Sequence, residues 1–337
     1  MTDQLDRTES APNPSGFGAD SLSEPSFVRF AGRQLGRRFG QLVILVFSIS
    51  TLLFFLLRVT GDPALVLLGD LATPEDIART RAFYGLDQPP IIQYFLFIWQ
   101  ALRLNFGRSL ASLDDAMSMV IDRVPATIYL AVAAVILNVV VAILVGGWLG
   151  YRPERPERRA GLFAVLVSQG VPGFVIGLIL IQVFAVHFRL LPSIGNRGWT
   201  SVILPSVTLA SFLLPRVIRL TAANVDDAMR EDYVRTARAA GASAGTVLFR
   251  HVMPNAVVGT IALVGVQFGF LLSGSLITET LFAWPGVGLQ LIEAVRALDF
   301  PVVQATVAVV AVLVFAVQAL VDILIPLADP RLRSQRA

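Results

Sequence analysis

Long apolar stretches alternate with shorter polar segments along the chain. Each stretch is close to the roughly 20 residues that an α-helix needs to cross about 30 Å of hydrocarbon. We therefore predict membrane-spanning helices near residues 40–58, 126–150, 161–188, 202–221, 256–279 and 301–325. This even number of spans places both chain termini on one side of the membrane. The predicted fold class is an all-α integral membrane protein.

One polar, helix-prone insert separates the fourth and fifth predicted spans. It covers residues 231–256, EDYVRTARAAGASAGTVLFRHVMPNA. Asp226 stands four residues before Arg230, and Glu231 stands four residues before Arg235. This order and spacing of acid and base stabilise a solvent-exposed helix.

The same insert carries signals for a turn and a second helix. Gly241 predicts the end of the first helix, because glycine readily adopts the left-handed conformation that ends helices. Ser243 predicts the cap of a second short helix, which Pro254 interrupts. We therefore predict a helix-turn-helix between two spans, with a surface that a partner can bind.

The long connection over residues 59–124 also has helical signals. Thr73 predicts a helix cap and Gly85 the end of that helix. A second helix is predicted over residues 90–104, with aromatic residues expected at the outer membrane interface. These aromatic residues are Tyr94, Phe95, Phe97 and Trp99.

Proline residues mark the spans. Pro125 predicts the start of the second span, since a proline in the first helical turn loses no hydrogen bond. Pro205 and Pro215 predict a kink or break in the fourth span.

Several uncharged polar residues lie within the apolar stretches, where each needs a partner or a water-filled cavity. Asn138 and Gln182 are expected to form hydrogen bonds between helices. Gln169 and Gln267 have glycine neighbours, and we predict that they line a translocation pathway. Glu279, near the outer end of the fifth span, is interpreted either as a contact for a substrate amine or as a brace for the following loop.

Composition and charge agree with a membrane protein and orient it. Hydrophobic residues make up 55% of the chain and the mean hydropathy is +0.70, well above a soluble domain. Arginine-rich segments precede the first span, fill the connection after the second and follow the last. By the positive-inside rule these segments, both termini and the 231–256 insert are cytoplasmic. A nucleic-acid surface is disfavoured, because these arginines sit at membrane edges.

Catalytic chemistry is not indicated. Cysteine is absent, and His187 and His251 are the two histidines. Neither an H-E-x-x-H zinc motif nor a G-x-x-x-x-G-K-[ST] phosphate loop occurs. We predict no catalytic residues, no metal site and no cofactor, so that any ATP hydrolysis belongs to another subunit.

The 231–256 insert resembles the EAA loop of ABC-importer permeases, a pattern written E-A-A, three residues, G, nine residues, I-x-L-P. Its first three places are taken by Arg235, Thr236 and Ala237. The later places are taken by Gly241, His251, Met253 and Pro254. The wording DYVRTARAAG, which includes Asp232 and Tyr233, followed by LFRHVMPNA, is closer to the dipeptide/oligopeptide/nickel-type permeases.

The resemblance extends over about residues 28–333. The segments GDP, TPEDIARTRAFYGLDQPPIIQYFLFIWQ and NFGRS are similar to the outer segment of peptide-type permeases. E-T-x-F-x-W-P-G-x-G, which begins at Glu279, is similar to an outer loop of the same family. Within it, Pro285 and Gly286 predict a tight turn and Trp284 an anchor at the membrane interface.

The resemblance implies the type I ABC-importer permease fold and a set of partners. These are a second homologous permease subunit, two ATP-binding cassette subunits, an extracytoplasmic solute-binding protein and membrane lipid, in a bacterial inner membrane. The implied organisation is a disordered cytoplasmic tail (1–28), a first span with its outer helical segment (29–124), a five-helix core (125–328) containing the coupling loop (224–256), and a cytoplasmic tail (329–337).

The implied solute is a di- or oligopeptide, with nickel chelates or glutathione as alternatives within the same class. An ion-coupled secondary transporter is a rival from another class, but it requires charged residues in mid-span and often inverted repeats. An intramembrane serine protease is disfavoured, because neither His187 nor His251 lies at the depth of a candidate serine.

Overall fold

The computed structural model describes residues 24–60, 63–68, 72–83, 85–151, 155–196 and 198–328, and this part of the chain is almost entirely helical. An isolated antiparallel bridge between Arg108 and Asp115 is its one extended pairing. The helices are numbered in chain order: α1 (Glu24–Thr60), α2 (Pro63–Leu68), α3 (Pro74–Phe83), α4 (Pro90–Ala101), α5 (Ala116–Tyr151), α6 (Pro156–Gln169), α7 (Gly173–His187), α8 (Trp199–Ser211), α9 (Leu214–Met229), α10 (Asp232–Ala239), α11 (Ala244–Leu281), α12 (Val287–Arg296) and α13 (Phe300–Ala328).

Among the described residues, four helices are long and apolar enough to cross a membrane, namely the 38–56 part of α1, then α5, α11 and α13. Two bent pairs, α6 with α7 and α8 with α9, bring the number of spans to six if each pair crosses once. This result confirms the all-α membrane fold. The tails at 1–23 and 329–337 lie outside the described residues, while Glu24 already belongs to α1, so helix begins before the predicted boundary at residue 28.

The third predicted span, near residues 161–188, is broken in the structure. The axes of α6 and α7 are bent by 99° across the residues between Gln169 and Gly173. Gly170 ends α6, and Pro172 caps α7 with an extended backbone. A proline disfavours helical geometry at the residue before it, which explains the break at Val171.

The fourth span is bent next to Pro215, as the sequence predicted. The α8 and α9 axes meet at 65°, and Pro215 lies in the first turn of α9. Pro205 lies near the start of α8 and produces no break.

The predicted start of the second span at Pro125 is also wrong. The α5 helix begins at Ala116, where the Asp115 side chain accepts a hydrogen bond of 2.8 Å from the Ser118 backbone amide. Pro125 therefore lies inside α5, and the helix crosses the proposed boundary between residues 124 and 125.

In the connection over residues 59–124, helices form where the local sequence signals predicted them. Thr73 accepts from the Asp76 amide at 3.2 Å and donates its hydroxyl to the Asp76 carboxylate, forming a reciprocal cap at the start of α3. Gly85 has φ +65°, and the Leu86 amide donates to the Arg81 carbonyl at 2.8 Å. Of the four aromatic residues in α4, Tyr94 and Phe97 pack against Phe54 of α1, whereas Phe95 and Trp99 are exposed.

The α5 helix is the centre of the bundle and contacts α8, α9, α11, α12 and α13. The C-terminal end of α5 approaches α9 unusually closely. A Cβ atom added at Gly150 would lie 2.5 Å from the Ala222 carbonyl oxygen, and one at Gly146 would lie 2.7 Å from Thr221 Cβ. Small residues four apart allow helix backbones this proximity in membranes.

Gly150→Ala is expected to push α5 away from α9 and to destabilise the bundle by about 1–3 kcal/mol, because backbone atoms cannot yield. Gly147→Ala is the matched control, since its Cβ would meet only the flexible Met253 side chain, at 3.3 Å from Sδ. Thermal melting of the purified protein in detergent measures both. Equal melting temperatures for the two variants would contradict the tight α5–α9 contact.

Candidate functional site

The polar insert forms a helical hairpin, here called the polar hairpin and defined as residues 230–256. Its first limb is α10. The turn that ends α10 requires a residue with positive φ. Gly241 has φ +81°, its amide donates to the Arg238 carbonyl at 3.0 Å, and the Ala242 amide donates to the Ala237 carbonyl at 3.1 Å. These two bonds are the Schellman pattern of a helix end, as Gly241 predicted.

The second limb is the first part of α11. The Ser243 hydroxyl caps it by accepting from the Thr246 amide at 3.3 Å, which confirms the predicted cap. The prediction that Pro254 interrupts this helix is wrong. A π-helical turn over Val247–Val252 precedes the proline, and α11 continues to Leu281 as a helix of 38 residues. The wider turn accommodates a residue that lacks an amide donor.

Charged side chains of the hairpin differ in part from the predicted pairs. Asp226 binds Arg230 at 3.2 Å, as predicted. Arg235 binds Asp232 at 3.2 Å instead of Glu231, because Glu231 is the extended residue that precedes α10. Asp226 also binds Arg158 of α6 at 2.8 Å, and both side chains are largely buried. This contact links the hairpin base to the third span.

The hairpin has a small apolar interior and an exposed outer face. Val234 and Val247 are buried between the limbs, next to Val252 and Met253. The limbs are also joined through Asn255, whose amide donates to the Tyr233 hydroxyl at 3.4 Å and to the His251 carbonyl at 3.1 Å.

Most of the predicted hairpin residues lie on this surface. Ala237 and His251 are half-buried, whereas the others are exposed: Asp232, Tyr233, Arg235, Thr236, Gly241 and Pro254. Sequence reasoning missed Phe249, which is 66% exposed in the π-helical turn of the second limb. Its neighbours Val247 and Val252 form the buried side of the limb, and this spacing was the available signal. An exposed aromatic ring in a polar hairpin is typical of a contact surface for a partner.

Polar contacts fix the base of the hairpin to the spans. The hydroxyl groups of Thr221 in α9 and Thr260 in α11 share a buried hydrogen bond of 2.9 Å. The Asn224 amide donates to the Ala256 carbonyl at 3.1 Å. Together with the close α5–α9 contact, these bonds connect α5, α9 and the N-terminal half of α11 to the base of the hairpin.

At the other end of α11, Glu279 organises the loop between α11 and α12. Its side chain is 0% exposed. One carboxyl oxygen accepts from the Thr127 hydroxyl at 2.7 Å, and the other accepts from the amides of Gly288 and Leu289 at 2.6 and 3.2 Å. Because the first amides of a helix have no partner within that helix, Glu279 satisfies the start of α12. This geometry supports the bracing interpretation of Glu279.

Trp284 was predicted to be an interface anchor, and the structure contradicts this. Its side chain is 0% exposed, its indole N–H donates to the Ala126 carbonyl at 2.9 Å, and its ring stacks over Tyr129. The predicted tight turn at Pro285 and Gly286 is confirmed, since the Gly286 amide donates to the Trp284 carbonyl at 2.7 Å. A Cβ atom at Gly286 would clash with the Glu279 carboxyl group.

The two glutamines predicted in the pathway lie apart. Gln169 is exposed at the end of α6, beside the 99° bend. Gln267 is half-buried in α11, between Gly265 and Gly269, whose missing side chains make room for Val321 and Gln318 of α13. Successive residues of an α-helix are rotated by about 100° around the helix axis. Gln267, two residues from each glycine, therefore faces away from the contact with α13. The placement of both residues in a pathway stays a prediction.

Comparison with known proteins identifies the family. The binding-protein-dependent transport system inner membrane component family matches residues 139–334, and the N-terminal family of the same membrane components matches residues 29–131. The chain belongs to the permeases of binding-protein-dependent ABC importers. A Brucella abortus protein named as a peptide transport system permease is 34% identical over 88% of this chain and 98% of its own length.

A second named relative agrees with this family. The glutathione transport system permease protein GsiC of Escherichia coli (strain K12) is 34% identical over 87% of this permease and 96% of its own length. The crystal structure of an amino acid ABC transporter with histidines is 18% identical, with a TM-score of 0.47, and covers 61% of this permease and 92% of that chain. From the family matches and its apolar helices, the permease is an inner membrane transport component.

Proposed function

We propose that this permease forms half of the membrane pathway for di- or oligopeptides, which an external solute-binding protein delivers. Support comes from the relatives named for peptide and glutathione transport. Glutathione is itself a short peptide, so both names belong to one chemical class. The observation that carries the proposal is the polar hairpin, because it presents an exposed surface that is rigidly joined to three spans.

The proposed assembly contains a second homologous permease and two ATP-binding cassette subunits. Each nucleotide-binding subunit holds one permease hairpin, and the exposed rings of Tyr233 and Phe249 enter its surface. The hairpin and both termini are cytoplasmic in this proposal, which the arginine-rich segments support. ATP hydrolysis then occurs in the partner, and this permease supplies the moving spans.

The α11 helix supplies the mechanical connection between the two faces. Its 38 residues extend about 57 Å at 1.5 Å per residue, from Ala244 in the hairpin to Leu281 beside the outer loop. When the nucleotide-binding subunits close, the hairpin moves as a rigid body with α5 and α9. Because Glu279 ties α11 to α5 and α12, the same motion rearranges the outer end.

Reconstitution tests this proposal. The tagged permease is purified from its native host, its co-purifying subunits are identified, and the complex is placed in liposomes with its binding protein. We expect uptake of labelled dipeptides or oligopeptides only with ATP on the hairpin side. Glutathione and a nickel chelate serve as competing solutes. Uptake driven by a proton gradient without ATP, or a complex without nucleotide-binding subunits, would contradict the proposal.

A further inference from the structure

A cleft of about 410 Å³ lies between α1 on one side and α11, α12 and α13 on the other. Its walls are mainly aliphatic and aromatic, with Leu42, Leu45 and Ile49 on one side and Val310, Val314 and Phe315 on the other. The polar hairpin does not line it, and it reaches the Glu279 brace at Gly288. An apolar cleft at the edge of a membrane bundle suits a hydrocarbon chain.

The cleft carries a positive charge at one end, while Ser273 and Ser275 are polar residues further along it. Arg38, Gln41 and Gln318 lie at the charged end. Arg38 is the first residue of the apolar span in α1, and Gln318 lies towards the end of the antiparallel α13, so both mark the same membrane face. In the sequence, Arg38 ends an arginine-rich segment. Arg38, Gln41 and Gln318 donate hydrogen bonds and attract an anion.

The length of the cleft matches one membrane leaflet. From Arg38 to Ile49, α1 rises about 16 Å, which is close to half of the roughly 30 Å hydrocarbon core. In the apolar part of α1, Arg38–Leu56, only 11% of the residues are buried. This helix therefore lies at the border between protein and lipid. A chain that begins at the arginine and ends beside Ile49 therefore spans a single leaflet.

We propose that this cleft binds an anionic phospholipid, with its phosphate on Arg38, Gln41 and Gln318 and one acyl chain between α1 and α13. Basic pockets between helices at the cytoplasmic face bind such headgroups. The cationic end distinguishes this occupant from an uncharged apolar helix of a partner. The site goes beyond the transported solute and does not depend on which solute that is. By filling the gap, the lipid holds α1 against the bundle.

The test measures lipid retained by the purified transporter complex in mixed nanodiscs of phosphatidylglycerol and phosphatidylcholine, followed by native mass spectrometry. Arg38→Gln is expected to weaken phosphatidylglycerol binding about fivefold, because one arginine near a membrane surface contributes about that factor. Arg38→Lys keeps the charge and is expected to retain the lipid. Arg159→Gln is the matched control, an exposed arginine in the first turn of α6, outside the cleft.

A second variant tests the acyl-chain half without altering charge. Ala311 lines the cleft, and Ala311→Phe is expected to displace the retained lipid while the complex stays assembled. A phosphatidylglycerol with a photoreactive acyl chain is expected to label peptides of α1 and α13 in the unmodified complex. Unchanged retention in both Arg38→Gln and Ala311→Phe would overturn the proposal, as would crosslinks showing a helix of the second permease in the cleft.

Discussion

Replacing Gly241 by proline is expected to abolish assembly with the nucleotide-binding subunits while the permease still inserts into the membrane. Proline cannot adopt the φ of +81° found here, and it lacks the amide that donates to Arg238. The expected cost to the hairpin is about 3 kcal/mol or more. The measurement is the ratio of nucleotide-binding subunit to permease after affinity purification, together with the amount of permease in the membrane fraction.

A matched pair of alanine variants separates backbone strain from loss of space. Both Gly241 and Gly245 have no atoms within 4 Å of an added Cβ, but only Gly241 has a positive φ. Gly241→Ala is therefore expected to weaken subunit retention by about 1–2 kcal/mol, whereas Gly245→Ala leaves it unchanged. Normal assembly and transport by Gly241→Pro would count against the role of the hairpin.

Glu279→Ala is expected to destabilise the outer half of the permease and to stop transport of every solute. The substitution leaves the amides of Gly288 and Leu289 and the hydroxyl of Thr127 without their acceptor. At about 1–3 kcal/mol for each of these three groups left unpaired, the expected loss is about 3 kcal/mol or more. Thermal melting of the purified complex and peptide uptake in liposomes are the two measurements.

Glu293→Gln in α12 is the control, because Glu293 is exposed and removing its charge is expected to have little effect. Thr127→Val is expected to reproduce part of the Glu279→Ala effect, since Thr127 also accepts from the Val287 amide at 2.9 Å. If Glu279→Ala melts normally but changes the preferred solute, Glu279 contacts the substrate and the bracing role is wrong.

Features encoded by neighbouring residues were predictable from the sequence. Thr73 and Ser243 cap helices, and Gly85 and Gly241 end them, because each signal acts within one turn of backbone. The approximate positions of the long apolar helices were also predictable, since their length and apolarity follow from the thickness of the bilayer.

Features that depend on distant contacts were not predictable. Pro125 and Pro254 lie inside helices, because Asp115 starts α5 earlier and a π turn precedes Pro254. Trp284 is buried because the outer loop folds back on Ala126, which is remote in sequence. The same folding brings Thr127 to Glu279 and turns a candidate solute contact into the cap of α12.

The exposed face of the polar hairpin required both kinds of information. Its helices were visible in the sequence, but the exposure of Phe249 depends on which side of the π turn packs against Val225 and Val234. The half-buried position of Gln267 depends in the same way on the glycine contact between α11 and α13.

Crosslinking from position 249 tests most directly whether the hairpin contacts the subunit that hydrolyses ATP. The permease has no native cysteine, so Phe249→Cys provides a single reactive position. Ser112→Cys, exposed in the outer segment, is the matched control. The account predicts that Phe249→Cys in the assembled complex crosslinks to a nucleotide-binding subunit and that Ser112→Cys does not. Labelling of Phe249→Cys by a membrane-impermeant thiol reagent added outside intact cells, with no such crosslink, would contradict it.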